Sequence, residues 1–124
     1  MTRKEQLEAV LNELVDSMGG EVVAAVLATP EGKLITSVTG RTSVKGNRFA
    51  AMGATILATA KKMGKLVEAG AAQEATVKLE GELFYIKQAG PKAILVVVVR
   101  EGAFIGLLEI EMERAAERVE EILG

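Results

Sequence analysis

The chain has 124 residues, a formal net charge of −2 and neither cysteine nor histidine. One domain with a single core fits that length, and the near-neutral charge with an aromatic share of 3% excludes the basic, base-stacking surface of a nucleic-acid binder. Disulfide frameworks, thiolate catalysis and imidazole chemistry are excluded by composition, and Asp16 is the one aspartate, so an enzyme here would have only Glu, Lys, Tyr85, Ser or Thr to work with.

The first segment reads as a helix. Thr2-Arg3-Lys4-Glu5 has the spacing of a capping box, a hydroxyl followed three residues later by a carboxylate that reaches back. Leu7, Val10, Leu11, Leu14, Val15 and Met18 then form one apolar stripe, and Gly19-Gly20 stops it. No apolar leader stands at the start, and no unbroken apolar run exceeds the seven residues of Ala93 to Val99, too short to span a bilayer. A cytoplasmic protein without a membrane span is the expectation.

Val22 to Thr29 and Lys33 to Val38 are strand-like, and Pro30-Glu31-Gly32 between them has turn chemistry, which predicts a β-hairpin. A polar connection follows, in which Ser43 or Asn47 is the expected cap of a long helix from about Lys45 to Ala69. Phe49, Met52, Gly53, Ile56, Ala60, Met63 and Val67 share one broad stripe of that helix. Ala51, Ala54, Thr55 and Ala58 lie opposite, with Lys61, Lys62 and Lys65 after them, and Gly70 is the expected end. A helix surface with so little side-chain bulk suits close approach of a second helix.

Three strands fill the next thirty residues. Ala75 to Glu80 alternates apolar and polar, Leu83 to Ala89 carries Phe84, Tyr85 and Ile86, and Ala93 to Val99 does not alternate at all. Tight turns at Glu80-Gly81-Glu82 and Gly90-Pro91 make neighbours antiparallel. The last segment is helical from about Phe104 or Leu107, with Leu108, Met112, Ala115, Val119 and Ile122 on its apolar face and glutamates and arginines outside. A strand apolar on both sides needs cover on both faces, so the Ile94–Val99 strand is expected at the centre of a sheet between helix layers. The half-exposed Thr76–Glu80 strand is the expected edge, able to pair with its copy across a two-fold.

The resulting order is α-β-β-α-β-β-β-α. With the hairpin VAAVLATPEGKLITS, the Ala-rich helix FAAMGATILATAKKMGKLV, the strand pair TVKLEGELFYIKQAG, then AILVVVV and GLLEIEMERAAERVEEIL, it resembles the Roadblock/LC7 family of dynein-light-chain-like and GTPase-regulating domains. The resemblance covers roughly residues 3 to 123 and implies an α+β fold of three layers, profilin-like. In it, a five-stranded antiparallel sheet carries the first and last helices on one face and the middle helix on the other. It further implies a dimer in which middle helices pair and third strands extend the sheet. The partner it implies is a small Ras-like GTPase, whose nucleotide state the domain modulates without chemistry of its own. A second copy, or a paralogue in its place, completes the dimer. A purely structural scaffold is the rival reading, and a small-ligand sensor is a third.

Ala51, Ala54, Thr55, Ala58, Thr76, Val77, Lys78 and Leu79 are thus the expected dimer interface. Lys45, Arg48, Lys62 and Lys65 are the expected contacts to the GTPase, on a basic middle helix that contrasts with the acidic last one. Arg48 acting in trans on a transferring phosphoryl group is a weaker alternative. Gly46-Asn47-Arg48 and the Gly102 to Gly106 stretch fit neither phosphate-binding glycine pattern, so no nucleotide is expected in this chain. The carboxylate pairs Glu80/Glu82 and Glu120/Glu121 read as solvated, and no catalytic residue, metal or cofactor is expected.

Overall fold

A computed structural model describes residues 1–124. Its elements are α1 (Arg3–Ser17), β1 (Val22–Ala28), β2 (Leu34–Thr39), α2 (Gly46–Leu66), β3 (Glu74–Lys78), β4 (Glu82–Gln88), β5 (Ile94–Arg100) and α3 (Ile105–Leu123). The strands form one antiparallel sheet in the order β2-β1-β5-β4-β3. The three-layer α+β arrangement expected from the sequence is the one found. No helix is long and apolar enough to cross a membrane.

β5 sits at the centre, and every residue from Ile94 to Val99 is buried. Its alternate side chains serve two cores. Leu95, Val97 and Val99 face α1 and α3, where they join Leu7, Leu11, Leu14, Leu108 and Val119. Ile94, Val96 and Val98 face α2, where they join Phe49, Leu57, Phe84 and Ile86. β1 is buried along its whole length for the same reason. A strand covered on both faces has no solvent side to make polar, which is why these two read as unbroken apolar runs.

The start of α1 is set locally. The Thr2 hydroxyl accepts from the Glu5 backbone N–H at 3.1 Å, and the Thr2 N–H donates to Glu5 Oε1 at 3.0 Å. Those bonds satisfy two N–H groups that the first turn leaves free, and they hold the Glu5 carboxyl below the usual carboxylate value.

α2 departs from the sequence reading in three ways. Lys45, not Ser43 or Asn47, is its N-cap, and no side chain caps it. The helix ends at Leu66 rather than near Ala69. The Ala69 N–H reaches back to Gly64 O at 2.8 Å and the Glu68 N–H to Lys65 O at 3.2 Å, with Glu68 at φ +56°. That is a Schellman closure with a glutamate at the left-handed position where glycine is usual. Finally, the buried face is rotated from the expected one. Gly46, Phe49, Ala50, Gly53, Ala54 and Leu57 face the sheet, while Met52, Met63 and Val67 are exposed. Close approach is the cause: a Cβ on Gly53 would collide with Val96 Cγ2, so the helix backbone rests almost on β5. The small residues expected outside are therefore divided, and Ala54 turns inward because only a small side chain fits there.

The third strand lies slightly earlier than expected, ending at Lys78, and Leu79 belongs to the turn, its N–H donating to Glu82 O at 2.8 Å.

Candidate interaction surface

The outward side of α2 carries few charges along its middle, whereas α3 sets its exposed Phe104, Leu107 and Ile110 among glutamates. Ala51, Thr55, Ala58 and Thr59 are exposed there, flanked by Met52, Met63 and Leu66. Met63 is 61% exposed and Leu66 77%, proportions that leave large apolar side chains in water. The threonines add to this. Thr55 donates its hydroxyl to Ala51 O at 3.0 Å, and Thr59 to Thr55 O at 2.8 Å. Each hydroxyl is thereby engaged by its own helix, which leaves the methyl group as the outward chemistry. The result is a low, apolar ridge running from Ala51 to Leu66.

That ridge adjoins the sheet edge. β3 pairs only with β4, so its second side offers unpaired backbone groups. Val77 and Ile56 pack onto the α2-side core from the two neighbouring elements, linking ridge and edge into one apolar surface. Thr76 and Lys78 point to the opposite side of the sheet and are exposed. Leu79, at the turn, is half exposed.

The expected interface residues therefore divide. Ala51, Thr55 and Ala58 stand on the ridge, and Val77 stands beside it. Thr76 and Lys78 lie at the same edge on the far face. Ala54 is buried beneath its own helix, 7% exposed and beside the Gly32 turn, so its side chain is already used inside the protomer. Met52 and Met63 are absent from the sequence-based set because they lie on the stripe that reads as core, and Leu66 belongs to neither expected set.

Lys45 and Arg48 stand at the start of α2 and Lys62 and Lys65 near its end, all four exposed. Arg48 and Lys62 are 14 positions apart on one helix, roughly 21 Å at 1.5 Å per residue. Lys45 and Arg48 thus precede the ridge, Lys62 and Lys65 stand within its last turns beside Met63 and Leu66, and the four do not form one cluster. None has a carboxylate within 4.0 Å, whereas Arg118, Arg114 and Lys87 pair with Glu13, Glu111 and Glu74. Lys61, next to them, is tied to Gln88 Oε1 at 2.6 Å. The α1 and α3 face, by contrast, is acidic on its outside, with Glu109, Glu113, Glu117, Glu120 and Glu121 exposed. Tyr85 lies on that face under the edge of α3; burial first, and then the charge of Glu109, push its phenol above the ordinary value.

Residues 7–99 match the model of the Roadblock/LC7 domain. The chain belongs to the Roadblock/LC7 family. Among solved structures, an MglB "with tetrameric arrangement" is 25% identical and superposes with a TM-score of 0.89, over 98% of this chain and 90% of that one. The gliding protein MglB from Thermus thermophilus is also 25% identical, with a TM-score of 0.86 over 98% and 91%. A Roadblock/LC7 domain from Streptomyces avermitilis, 20% identical, shares the fold with a TM-score of 0.84 over 93% and 95%. No curated protein matches the chain in sequence. The element order, the helix on each face and the sheet topology are those of the Roadblock/LC7 fold.

Proposed function

We propose that this Roadblock/LC7 domain is a homodimeric, non-catalytic regulator that binds a small Ras-like GTPase and modulates its nucleotide state. The observation that carries the dimer is the ridge of α2: small and apolar side chains, threonine hydroxyls turned inward, and an unpaired β3 beside it. Two copies related by a two-fold bury both ridges and join both edges in one operation. The likeness to MglB over nearly the whole chain supports the regulatory reading. The basic residues before the ridge, Lys45 and Arg48, and within its last turns, Lys62 and Lys65, suit an acidic partner surface and would steer its approach. Regulation then works by ordering the partner's switch loops.

Ala58→Arg places a long charged side chain on the ridge and leaves the core untouched, because Ala58 is exposed. It should convert a dimer to a folded monomer by light scattering, with the circular-dichroism spectrum unchanged; an unshifted dimer places the interface elsewhere. Ala54→Arg is the wrong probe, since it would disturb the protomer itself. For the partner, the tagged protein is used as bait in lysate with GDP and with a non-hydrolysable GTP analogue. Recovery of a small GTPase in one nucleotide state supports the regulator, and hydrolysis assays then give its direction. Recovery of a stable partner with no GTPase in either state replaces it with the scaffold reading.

A further inference from the structure

The start of α3 puts three large apolar side chains in water. Phe104 is 80% exposed, Leu107 39% and Ile110 56%. They follow one another at intervals of three, so each stands about one helical turn from the next. Leu107 and Ile110 lie on the side of α3 away from its buried Leu108, Met112, Ala115 and Val119, and Phe104 stands at the cap before them. As the N-cap, Phe104 makes no side-chain capping bond. Serine, threonine, aspartate or asparagine there would satisfy a free N–H of the first turn. A large apolar group thus occupies, in water, a place where a small polar one would stabilise the protomer. The rim of this patch is acidic. Glu101, Glu109, Glu113 and Glu117 are exposed, and no lysine or arginine lies within 4.0 Å of any of them. The two arginines of α3 are already taken, Arg114 by Glu111 and Arg118 by Glu13. Between α3 and the sheet an open groove of about 440 Å³ adjoins the patch, with Thr76, Tyr85, Glu109 and Glu113 in its lining.

We propose that this shoulder of α3 docks a basic amphipathic helix of a partner protein. The apolar stripe of that helix rests on Phe104, Leu107 and Ile110, and its lysines or arginines lie toward Glu109, Glu113 and Glu117. Charge complementarity selects the occupant. An apolar patch alone would accept a lipid surface or any apolar helix, but unpaired carboxylates around it repel anionic headgroups and favour a cationic partner. A helix is the form that fits, because the ridges of a second helix seat between side chains spaced one turn apart. Phe104 and Glu117 are 13 positions apart, roughly 20 Å at 1.5 Å per residue, the length of a partner helix of about 13 residues. α3 and α2 pack on opposite faces of the sheet, so the patch is separate from the α2 ridge, and a dimer joined through that ridge would carry it twice.

The test is an amide NMR titration of the full chain with a synthetic peptide of about 14 residues, long enough to form a helix, with leucines at helical spacing on one side and lysines on the other. The signals of Gly106, Leu107, Ile110 and Glu113 should shift saturably, with one peptide bound per protomer. Ile110→Ser and Phe104→Ser should each weaken binding by about tenfold or more, the loss of one large apolar contact, and Met63→Ser on α2 should leave it unchanged. Phe104→Ser supplies a capping residue, so it should melt at the same or a higher temperature than the parent, which separates lost binding from lost folding. Glu113→Gln should weaken binding and flatten its dependence on salt. A peptide with glutamates in place of the lysines should not bind. Affinity unchanged in both apolar variants, equal binding of the glutamate peptide, or weakening by Met63→Ser as large as by Ile110→Ser would each overturn the proposal. So would an altered oligomeric state in Phe104→Ser, which assigns the patch to a second copy of this chain, or binding to anionic lipid vesicles that Ile110→Ser abolishes, which assigns it to a membrane.

Discussion

On one face of the sheet α1 and α3 lie side by side and bury Leu7, Leu11, Leu14, Leu108 and Val119; on the other α2 lies alone and meets β5 through Gly53, Ala50 and Ala54. The first face is built from long side chains that fill the space between two helices and a sheet, and its outside is mostly charged, with Phe104, Leu107 and Ile110 of α3 as exposed apolar exceptions. The second combines Phe49 and Leu57 with small residues of α2 that bring its backbone down onto the strands, and its outside is small and apolar between basic residues. The difference teaches that two layers on one sheet can be packed by opposite means, long side chains on one side and close backbone approach on the other.

The largest test of that contrast is truncation on the two-helix face. Leu108 is 0% exposed, and Leu108→Ala should cost about 2–5 kcal/mol by chemical denaturation, as expected for a buried leucine that leaves a cavity. Gly53→Ala tests the other face by the opposite operation. It should cost roughly 1–3 kcal/mol, because the added methyl forces α2 away from Val96; a neutral or stabilising effect, as helix propensity alone would give, would break the account of close approach. Smaller effects sharpen the picture at the helix ends. Thr2→Ala removes the α1 cap and should lower stability by about 1 kcal/mol. Because the Glu5 carboxyl is lowered in the folded state, its share of the cap is present above the ordinary carboxylate range and is lost as pH falls through the folded value. Glu5→Ala should therefore lower the melting temperature at neutral pH and make less difference in acid. The smallest change is a gain: Glu68→Gly relieves a left-handed residue and should add on the order of 0.5–1 kcal/mol in the same denaturation assay.

The parts of the fold legible in the sequence are those decided by short-range pattern. The capping box at Thr2 and Glu5, the apolar period of α1 and α3, and the turns at Gly32, Gly81 and Gly90 each depend on residues a few positions apart. The absence of alternation from Ile94 to Val99 is enough to place that strand at the centre. The face of α2 is misread from sequence, because a methionine scores as core and an alanine as neutral until the distance to the sheet is known. Of the candidate surface, Ala51, Thr55 and Ala58 are found from their small size, while Met52 and Met63 fall on the stripe that reads as buried.

Taken by itself, the sequence determined the element order, the antiparallel neighbours, the central strand and the family resemblance, because periodicity, turn residues and caps act within one or two turns of chain. Only the tertiary structure decided which side of α2 faces the sheet, which apolar side chains stay in water and which cations remain without a partner. Those are questions of distance between elements. The close approach at Gly53 and Val96 sets the rotation of α2, and that rotation puts Met63 and Leu66 outside and Ala54 within.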